Sequence, residues 1–483
     1  MKACPTTKRV LEIFSELNAI PRPSHHEERV ADYICDFARR LSLEYERNEE
    51  NCVVVRKPAT AGYESAEPVV LLNHMDMVCV GMPDPLNTPV QAYADNGWMK
   101  ARGTSLGADN GIGLAMALAV LEDDSLVHGP IEVLTTTNEE DGMSGAASLP
   151  HDFIKGRKVI NLDSEDYDTI TTGAAGALMQ EHRFAAALTA SPGGKKRWYM
   201  ITIEGGRGGH SGVDINKGRL SAVIPSWAIL AAIFNEYDFD VADIRIGESS
   251  ASIATSAEIV VCVPSGEASE FVKQQEENMN EWLREEYGNV EPDLHCTIRK
   301  CEKLPEIIGR DAVQQLLTAL EQTPQGVIEM SKSMPDTVHT SNNVGRILLE
   351  GDKLLVTTHT RSFSYDDMLA VGKDIADVFS KCGAQSAVVM QAPSWQENQQ
   401  SDYLALVSDT FNDVLGWRPR KVAMHFVLEA GFLVEKYPGI EIACIGPRIV
   451  EPHSCNERVE LSTVDDIWRV LLEMLSRMAG MKQ

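Results

Sequence analysis

The segment Leu71-Leu72-Asn73-His74-Met75-Asp76 joins an apolar strand pattern to a histidine and an aspartate two positions apart. Side chains two positions apart on extended backbone share a face of the sheet. One imidazole can therefore bind a metal ion while the neighbouring carboxylate orients the ring and raises its basicity. The alternative is a buried histidine beside a turn aspartate, and this short segment alone does not separate the two interpretations.

Four more segments end an apolar run or a glycine-rich turn with a side chain that suits a metal ion, namely Asp109, Glu140, Asp163 and His453. Each has a structural alternative. Helix capping explains an aspartate between glycines, and a solvated turn explains the acids around Glu140. A phosphate-binding loop at residues 103–113 is a weaker interpretation, because no Lys-Ser/Thr pair follows the glycines.

Ligands in α/β sheets gather at the carboxyl ends of strands, and all five candidates are expected there. The chance placement of five such side chains at strand ends is much less probable than the chance placement of one. The set therefore predicts a pocket for two divalent cations, which is a hydrolytic arrangement when one carboxylate bridges them. Adjacent side chains on extended backbone point to opposite sides, so one acid of the pair Glu139-Glu140 can bind a cation while the other faces the reacting water as a general base.

Strand and helix patterns alternate through the first and last parts of the chain. This alternation predicts an α/β fold, with a mixed, largely parallel sheet flanked by helices. The middle of the chain mixes alternating strands with amphipathic helices and predicts an inserted α+β domain. We predict a discontinuous domain at residues 1–187 and 396–483, which carries the metal candidates. The insert, residues 188–395, is large enough for two similar half-units.

Composition limits the class of protein. The chain has 483 residues, too many for one ordinary core, so two domains are expected. Its formal net charge of −27 argues against nucleic acids and anionic membranes as partners. The amino terminus lacks a secretory signal pattern, no apolar run is long enough to span a bilayer, and the ten cysteines lack paired spacing. These features predict a cytoplasmic protein with reduced thiols.

Five motifs span the chain in a recognisable order. They are His74-Met75-Asp76-Met77-Val78, the glycine-rich residues 103–113, Glu139-Glu140-Asp141-Gly142-Met143, Gly208-Gly209-His210-Ser211-Gly212 and Pro452-His453-Ser454. Together they resemble the co-catalytic zinc peptidase family that includes aminoacylases, carboxypeptidases and dipeptidases. The length of the chain and the predicted insert, which corresponds to a lid domain in that family, agree with the resemblance.

The resemblance implies two divalent metal ions. Zinc is the first expectation, and Mn²⁺ or Co²⁺ suits the same ligands. Asp109 would bridge both ions. His74 and Asp163 would complete one metal site, and Glu140 and His453 would complete the other.

The resemblance also implies roles for residues that do not bind metal. Asp76 would orient His74, and Glu139 would be the general base. His210 would stabilise the oxyanion, with a turn histidine as the alternative. The peptide bond after Asp109 would be cis.

Two substrate-binding residues follow from the same resemblance. Arg361 would receive the C-terminal carboxylate of the substrate, and Asn343 would lie near the substrate. The alternatives are an exposed arginine at a strand end and an asparagine in a simple turn, because guanidinium–carboxylate pairs are common in structural roles too.

The implied activity is metal-dependent hydrolysis of unblocked dipeptides, of Xaa-His type or of broad specificity, with closure of the lid domain gating turnover. Deacylation of N-acyl amino acids or cleavage of tripeptides by the same site is the alternative within enzymes. A mononuclear metalloenzyme and a catalytically silent metal-binding protein are more distant alternatives. The expected partner is a small peptide substrate, and both a monomer and a homodimer are compatible with the sequence.

Overall fold

The computed structural model describes residues 5–396 and 400–480, and the chain divides into two compact units. The first unit comprises the chain up to Gly173, from Trp395 to Ala423 and from Leu428 onward. The second unit comprises Ala174–Ser394 and Met424–Val427. The first boundary therefore lies at residue 174 and not at the predicted residue 188. The reason is that a strand of the second unit begins at Gly176, before the Pro-Gly turn that suggested the boundary.

The helices and strands up to residue 174 are α1 (Pro5–Asn18), α2 (Glu28–Arg40), β1 (Glu44–Arg47), β2 (Val53–Lys57), β3 (Val69–His74), β4 (Ala92–Asp95), β5 (Trp98–Ala101), α3 (Ala108–Glu122), β6 (Ile131–Thr136), α4 (Ser144–Ser148), β7 (Lys158–Asn161) and β8 (Thr169–Ala174). Those of the second unit are β9 (Gly176–Ala185), β10 (Thr189–Ala190), β11 (Lys196–Glu204), α5 (Val223–Glu236), β12 (Asp240–Ile246), β13 (Ala257–Pro264), α6 (Glu267–Tyr287), β14 (His295–Lys300), β15 (Glu306–Ile307), α7 (Arg310–Gln322), β16 (Gly326–Met330), β17 (Val338–Glu350), β18 (Lys353–Ser362), α8 (Tyr365–Lys381) and β19 (Gln385–Ala392). The remaining elements are α9 (Asp402–Leu415), β20 (Arg420–Met424), α10 (Ala430–Lys436), β21 (Glu441–Cys444), β22 (Ile449–Val450), β23 (Arg458–Glu460) and α11 (Leu461–Gly480).

An eight-stranded sheet forms the centre of the first unit, in the order β1-β2-β6-β3-β7-β21-β8-β20. Its four central strands, β6, β3, β7 and β21, are parallel, and β1, β2 and β8 pair antiparallel with their neighbours. The predicted mixed sheet is confirmed, and its parallel part comprises the four central strands. Strand β3 is buried along its whole length, as expected for a central strand covered on both faces.

Helix α3 lies inside the core of the first unit. Its residues from Gly111 to Leu121 are all buried, and the segment is apolar on every side, so it lacks the amphipathic pattern of a surface helix. Helices α1, α2, α9 and α11 contribute apolar side chains to the same core. The candidate Asp109 lies in the first turn of α3, and this packing fixes the place from which its carboxylate projects.

The nine-stranded sheet of the second unit repeats one topology twice. The inner half-unit runs β11-α5-β12-β13-α6-β14, and the outer half-unit runs β9-α7-β17-β18-α8-β19, with the inner one inserted between β9 and α7. The strand orders, β12-β13-β11-β14 and β17-β18-β9-β19, are equivalent, and β12 pairs antiparallel with β17 where the half-units meet. The chain thus carries two β-α-β-β-α-β half-units in one continuous sheet.

Among residues 5–396 and 400–480, no helix is both long enough and apolar enough to cross a bilayer.

Candidate metal centre

Three parallel strands bring their carboxyl ends to one edge of the central sheet. His74 is the last residue of β3 and lies opposite Thr136 of β6, while Leu72 lies opposite Asn161 of β7. The chain leaves β6 into the loop with Glu139 and Glu140, and it leaves β7 into the loop with Asp163. Neighbouring parallel strands therefore deliver an imidazole and acidic side chains to the same place, as the sequence predicted.

His74 is buried and uses its two ring nitrogens differently. Nδ1 lies 3.4 Å from Asp76 Oδ1, whereas Nε2 lies 3.2 Å from Asp109 Oδ1 and 3.3 Å from Asp163 Oδ1. Asp76 orients the ring through Nδ1, and Nε2 faces two carboxylates, so a metal ion between them would bind the lone pair of the neutral ring, as in a metal-binding histidine.

Asp76 organises more than the ring of His74. Its carboxylate accepts hydrogen bonds from the Ser24 hydroxyl at 2.8 Å and from the backbone N–H groups of Glu139 at 3.1 Å and Glu140 at 3.2 Å. Burial alone would raise the pKa of Asp76, but the hydrogen bonds from His74, Ser24 and the backbone outweigh it and lower the pKa. This carboxylate therefore stays ionised and holds together the β3 end and the Glu139-Glu140 loop.

Asp109 presents its two carboxylate oxygens to two different histidines. Oδ1 lies 3.2 Å from His74 Nε2, and Oδ2 lies 3.1 Å from His453 Nε2. His453 Nε2 also lies 2.9 Å from Glu140 Oε2. The peptide bond Asp109-Asn110 is cis, as the resemblance implied.

The prediction that all five candidates follow strands of the central sheet is wrong for two of them. Asp109 belongs to the first turn of α3, and His453 lies in the turn between β22 and β23 of a separate four-stranded sheet. His453 has a positive φ of 55°, a left-handed conformation that aims its ring from this tight turn. Chain segments outside the parallel sheet thus complete the cluster.

Glu457, which was not among the predicted site residues, holds the start of α3. Its carboxylate accepts hydrogen bonds from four consecutive backbone N–H groups: Leu106 at 2.7 Å, Gly107 at 3.0 Å, Ala108 at 2.7 Å and Asp109 at 3.4 Å. These are donors that a helix start leaves without intrahelical partners, and an anion is favoured there. In the sequence, the link between Glu457 and the site is its position four residues after His453 in the same loop.

Arg22 is a second residue that the sequence analysis missed. The side chain is fully buried, and its guanidinium donates to the backbone oxygens of Met75 at 3.3 Å, Asp76 at 3.2 Å and Gly107 at 2.8 Å. A Cβ atom on Gly107 or Gly111 would lie within 2.7 Å of Arg22 Nη2, so these glycines make room for the guanidinium. Arg22 thereby ties the end of β3 to the turn that precedes Asp109.

The electrostatics of the cluster favour a cation. Hydrogen bonds to Asp109 and Glu140 raise the pKa of His453 to about 11. Burial, reinforced by the charge of Asp109, raises the pKa of Asp163 well above its usual range although His74 opposes the shift. Asp163 Oδ1 is buried, and its contact with His74 Nε2 at 3.3 Å falls short of hydrogen-bond geometry. Ligand atoms of His74, Asp109 and Glu140 lie within 4.8 Å of one another, so the residues present fit a divalent metal site.

Glu139 lies beside these side chains, and its environment suits proton transfer. Burial raises the pKa of its carboxyl well above the usual range; His74 opposes this shift, and the charges of Asp163 and Glu429 add to it. Glu429 accepts a hydrogen bond from Thr136 at 2.7 Å, and burial raises its pKa to about 7. No pattern in the sequence marked Glu429 as part of this region.

The other three predicted site residues belong to the second unit. His210 follows β11, and its Nδ1 accepts hydrogen bonds from the backbone N–H groups of Gly212 and Val213, both at 3.1 Å. A neutral ring must then carry its proton on Nε2, which makes Nε2 a donor. Arg361 is 4 % exposed near the end of β18, so the alternative of an exposed strand-end arginine is wrong.

Asn343 is also not in a turn, because it lies within β17 and is buried. Its amide nitrogen donates to Ser252 O at 2.8 Å, and its amide oxygen accepts from Gln325 at 3.2 Å. The side chain therefore has structural partners on both of its polar atoms.

Comparison with known proteins places this geometry in a family. The profile of peptidase family M20/M25/M40 matches residues 70–477. The chain is 34% identical over 473 residues to the cytosol non-specific dipeptidase of Escherichia coli K12, with 96% of each chain covered.

Solved structures show the same relationship. The crystal structure of aminoacylhistidine dipeptidase from Vibrio alginolyticus matches with a TM-score of 0.90 and 33% identity, covering 98% of this chain and 97% of that one. Aminopeptidase PepT from Bacillus cereus matches with a TM-score of 0.62 at 16% identity and covers 98% of this chain and 99% of that one, which shows a shared fold. The resemblance inferred from the sequence motifs is confirmed, and the chain belongs to peptidase family M20/M25/M40.

Proposed function

We propose that this protein is a metal-dependent dipeptidase that hydrolyses the peptide bond of unblocked dipeptides. The observation that carries the proposal is the placement of the two Asp109 oxygens, each 3.1–3.2 Å from a different histidine. The names of the relatives from Escherichia coli and Vibrio alginolyticus support dipeptides as the substrate class. The names of these relatives do not decide whether the substrates are Xaa-His dipeptides or a broad range of dipeptides.

Two divalent ions, with zinc as the first expectation, would be held by the clustered side chains. Asp109 would be shared, His74 and Asp163 would complete one site, and Glu140 and His453 would complete the other. When bound, the ions would acidify the attacking water and polarise the scissile carbonyl. Mn²⁺ and Co²⁺ suit the same mixture of imidazole and carboxylate ligands.

Glu139 is proposed as the general base. A carboxyl whose pKa is raised toward neutrality can accept a proton from water and then return it to the leaving amine. Asp76 would act as a positioning residue, since it holds His74 by Nδ1 and holds the backbone of Glu139.

The second unit is proposed to supply contacts to the substrate. Nε2 of His210 is free to donate to the oxyanion, because Nδ1 is occupied as an acceptor. The buried guanidinium of Arg361 would bind the C-terminal carboxylate. Asn343 would lie near the substrate, with its amide already held by two partners within the second unit.

A location in the cytoplasm is supported by the name of the Escherichia coli relative and by the absence of paired cysteines among the described residues. The expected partner is the peptide substrate, with no nucleic acid and no membrane. For the assembly we propose a homodimer, with a monomer as the alternative.

The test compares Glu139→Gln with Asp141→Asn, which changes an exposed carboxylate in the same loop. Glu139→Gln should lower kcat by at least roughly 10²-fold, as expected for loss of a general base, while the bound metal stays near two ions per chain by elemental analysis. Asp141→Asn should retain the wild-type rate. Full activity of Glu139→Gln would rule out Glu139 as the general base. A panel of free dipeptides, tripeptides and N-acetyl amino acids would separate the dipeptidase from the tripeptidase and deacylase alternatives.

A further inference from the structure

Two buried side chains of β18 share one face of the sheet in the second unit. In the register of the sheet, Arg361 lies between Ser341 of β17 and Ala177 of β9, and His359 lies between Asn343 and Met179. Residues two apart on a strand point to the same side, and their Cα atoms are roughly 7 Å apart. Arg361 and His359 are therefore neighbours along this face.

The guanidinium of Arg361 has no anionic partner among residues 5–396 and 400–480. Its polar contacts are limited to one hydrogen bond, from Nη2 to the Ser211 hydroxyl at 3.4 Å, and its Nε makes no hydrogen bond. The nearby Asp214 lies instead against Lys217 at 2.8 Å and Arg219 at 3.3 Å. Burying a cation without a counter-charge costs free energy, so this position is suited to bind an anion.

The imidazole of His359 is 2 % exposed, and within the described ranges its ring nitrogens have a backbone contact with Ser250 that falls short of hydrogen-bond geometry. Such a group is rare in native proteins and requires an explanation. Burial lowers the pKa of His359, the charges of Arg361 and His210 lower it further, and the backbone contact with Ser250 opposes the shift without reversing it. The ring is then neutral and offers one N–H donor and one acceptor.

A third histidine completes the surroundings. His425 Nε2 lies 2.8 Å from the Ser341 hydroxyl, and the ring also has a backbone contact with Val338 that falls short of hydrogen-bond geometry. Three imidazoles and one guanidinium thus occupy this region, and the groups that affect the pKa of His359 include no carboxylate. The surroundings favour a ligand that carries more than one hydrogen-bond acceptor and negative charge.

We propose that His359 is a specificity-determining residue that binds an acidic side chain of the C-terminal residue, while Arg361 binds the terminal carboxylate. The proposal rests on the proposed dipeptidase function and assigns a preference for dipeptides that end in aspartate or glutamate. A guanidinium binds one carboxylate with two parallel hydrogen bonds. The imidazole of His359, two residues away along the strand, can then bind the side chain of the same C-terminal amino acid.

The first experiment measures kcat/KM for Ala-Glu and Ala-Leu with the wild type and with His359→Leu. The wild type should favour Ala-Glu by about tenfold or more, the range of one hydrogen bond to a charged group. His359→Leu should bring the ratio of kcat/KM for Ala-Glu to kcat/KM for Ala-Leu close to one. His359→Gln, which retains a donor, should recover part of the preference.

Thr357→Val is the matched control, because Thr357 is buried on the same face of β18, two residues before His359. It should keep the wild-type ratio of the two substrates. An equal fall of kcat/KM for both substrates in His359→Leu would indicate a structural role and overturn the proposal. So would a wild type that does not prefer Ala-Glu.

A second experiment separates this proposal from the proposed function. Isothermal titration calorimetry would measure binding of L-glutamate and L-leucine to the full chain, wild type and His359→Leu. Tighter binding of L-glutamate that His359→Leu abolishes supports the site even if no dipeptide is hydrolysed, in which case the dipeptidase assignment alone fails. Equal binding of the two amino acids by the wild type overturns the proposal even if dipeptides are hydrolysed.

Discussion

Ala108 donates its backbone N–H to Glu457 Oε1 at 2.7 Å, although 349 positions separate the two residues in the sequence. Three neighbouring N–H groups donate to the same carboxylate. The contact fixes the turn that presents Asp109, and the loop that supplies Glu457 also supplies His453. One carboxylate therefore couples the positions of two proposed metal ligands that come from distant parts of the chain.

Glu457→Gln should weaken metal binding by about 10- to 100-fold, the usual effect of removing a group that orients ligands. An amide turns its NH₂ group toward two of the backbone donors and cannot accept from them. Metal affinity would be measured by competition with a chelator. Glu451→Gln, an exposed carboxylate of the same loop, is the control and should bind metal as the wild type does. Unchanged affinity in Glu457→Gln would show that the α3 start holds its shape without the carboxylate.

Removing the metal should abolish activity and lower the melting temperature of the protein. Clustered carboxylates repel one another without a cation, and a ligand present at about 1,000 times its Kd stabilises the folded state by about 4 kcal/mol. Differential scanning calorimetry before and after dialysis against a chelator measures the change. Adding back Zn²⁺, Mn²⁺ or Co²⁺ separately identifies which ion restores turnover. A melting temperature that the chelator does not change would contradict the metal site.

Gly113→Ala should destabilise the first unit by roughly 1–3 kcal/mol, the usual range for overpacking a core. A Cβ atom at this position would lie 2.5 Å from the backbone oxygen of Leu162, the residue before Asp163. Urea unfolding measures the loss, and metal affinity should fall with it because the Asp163 loop is displaced. Gly193→Ala, where a Cβ would meet no atom within 4 Å, should leave both quantities unchanged.

The stability of the second unit should fall as the pH decreases from 6.5 toward 4, in part because of His182. This ring stacks on Phe379 at 3.9 Å and bonds Ser386 and Thr358. Burial lowers the pKa of His182 to about 4, so the unfolded chain binds the proton first. The stabilisation is complete above pH 6.5 and is lost as the pH falls through about 4; it amounts to about 3 kcal/mol.

Urea unfolding at several pH values would compare the wild type with His182→Gln. The free-energy difference between the two should shrink by about 2 to 3 kcal/mol between pH 7.5 and pH 4.5. A constant difference between wild type and His182→Gln would mean that the ring is not protonated on unfolding.

The sequence predicted the parts of the site that depend on local patterns. His74, Glu140 and Asp163 follow apolar strands that pair in parallel, so the pattern of each strand and the rule for strand ends were sufficient. Arg22 and Glu457 could not be found in this way. Their roles depend on backbone groups that are distant in sequence, and neither residue belongs to a motif.

The second unit shows where local patterns mislead. Pro192 and the following glycines indicated a boundary, but β9 had already entered the second sheet by pairing with β18 and β19, which lie more than 160 residues further along the chain. Arg361 and Asn343 were given exposed or turn alternatives, yet both are buried in long strands. Burial in a sheet depends on which strands become neighbours, and a single strand does not contain that information.

The repeated topology of the second unit affects how the protein can evolve by mutation. In an assembly of two identical copies, every substitution appears twice. Here the inner and outer half-units are encoded separately, so a mutation alters one of them and leaves its counterpart intact. The gene can therefore vary the loop after β11, which bears His210, independently of the end of β18, which bears Arg361.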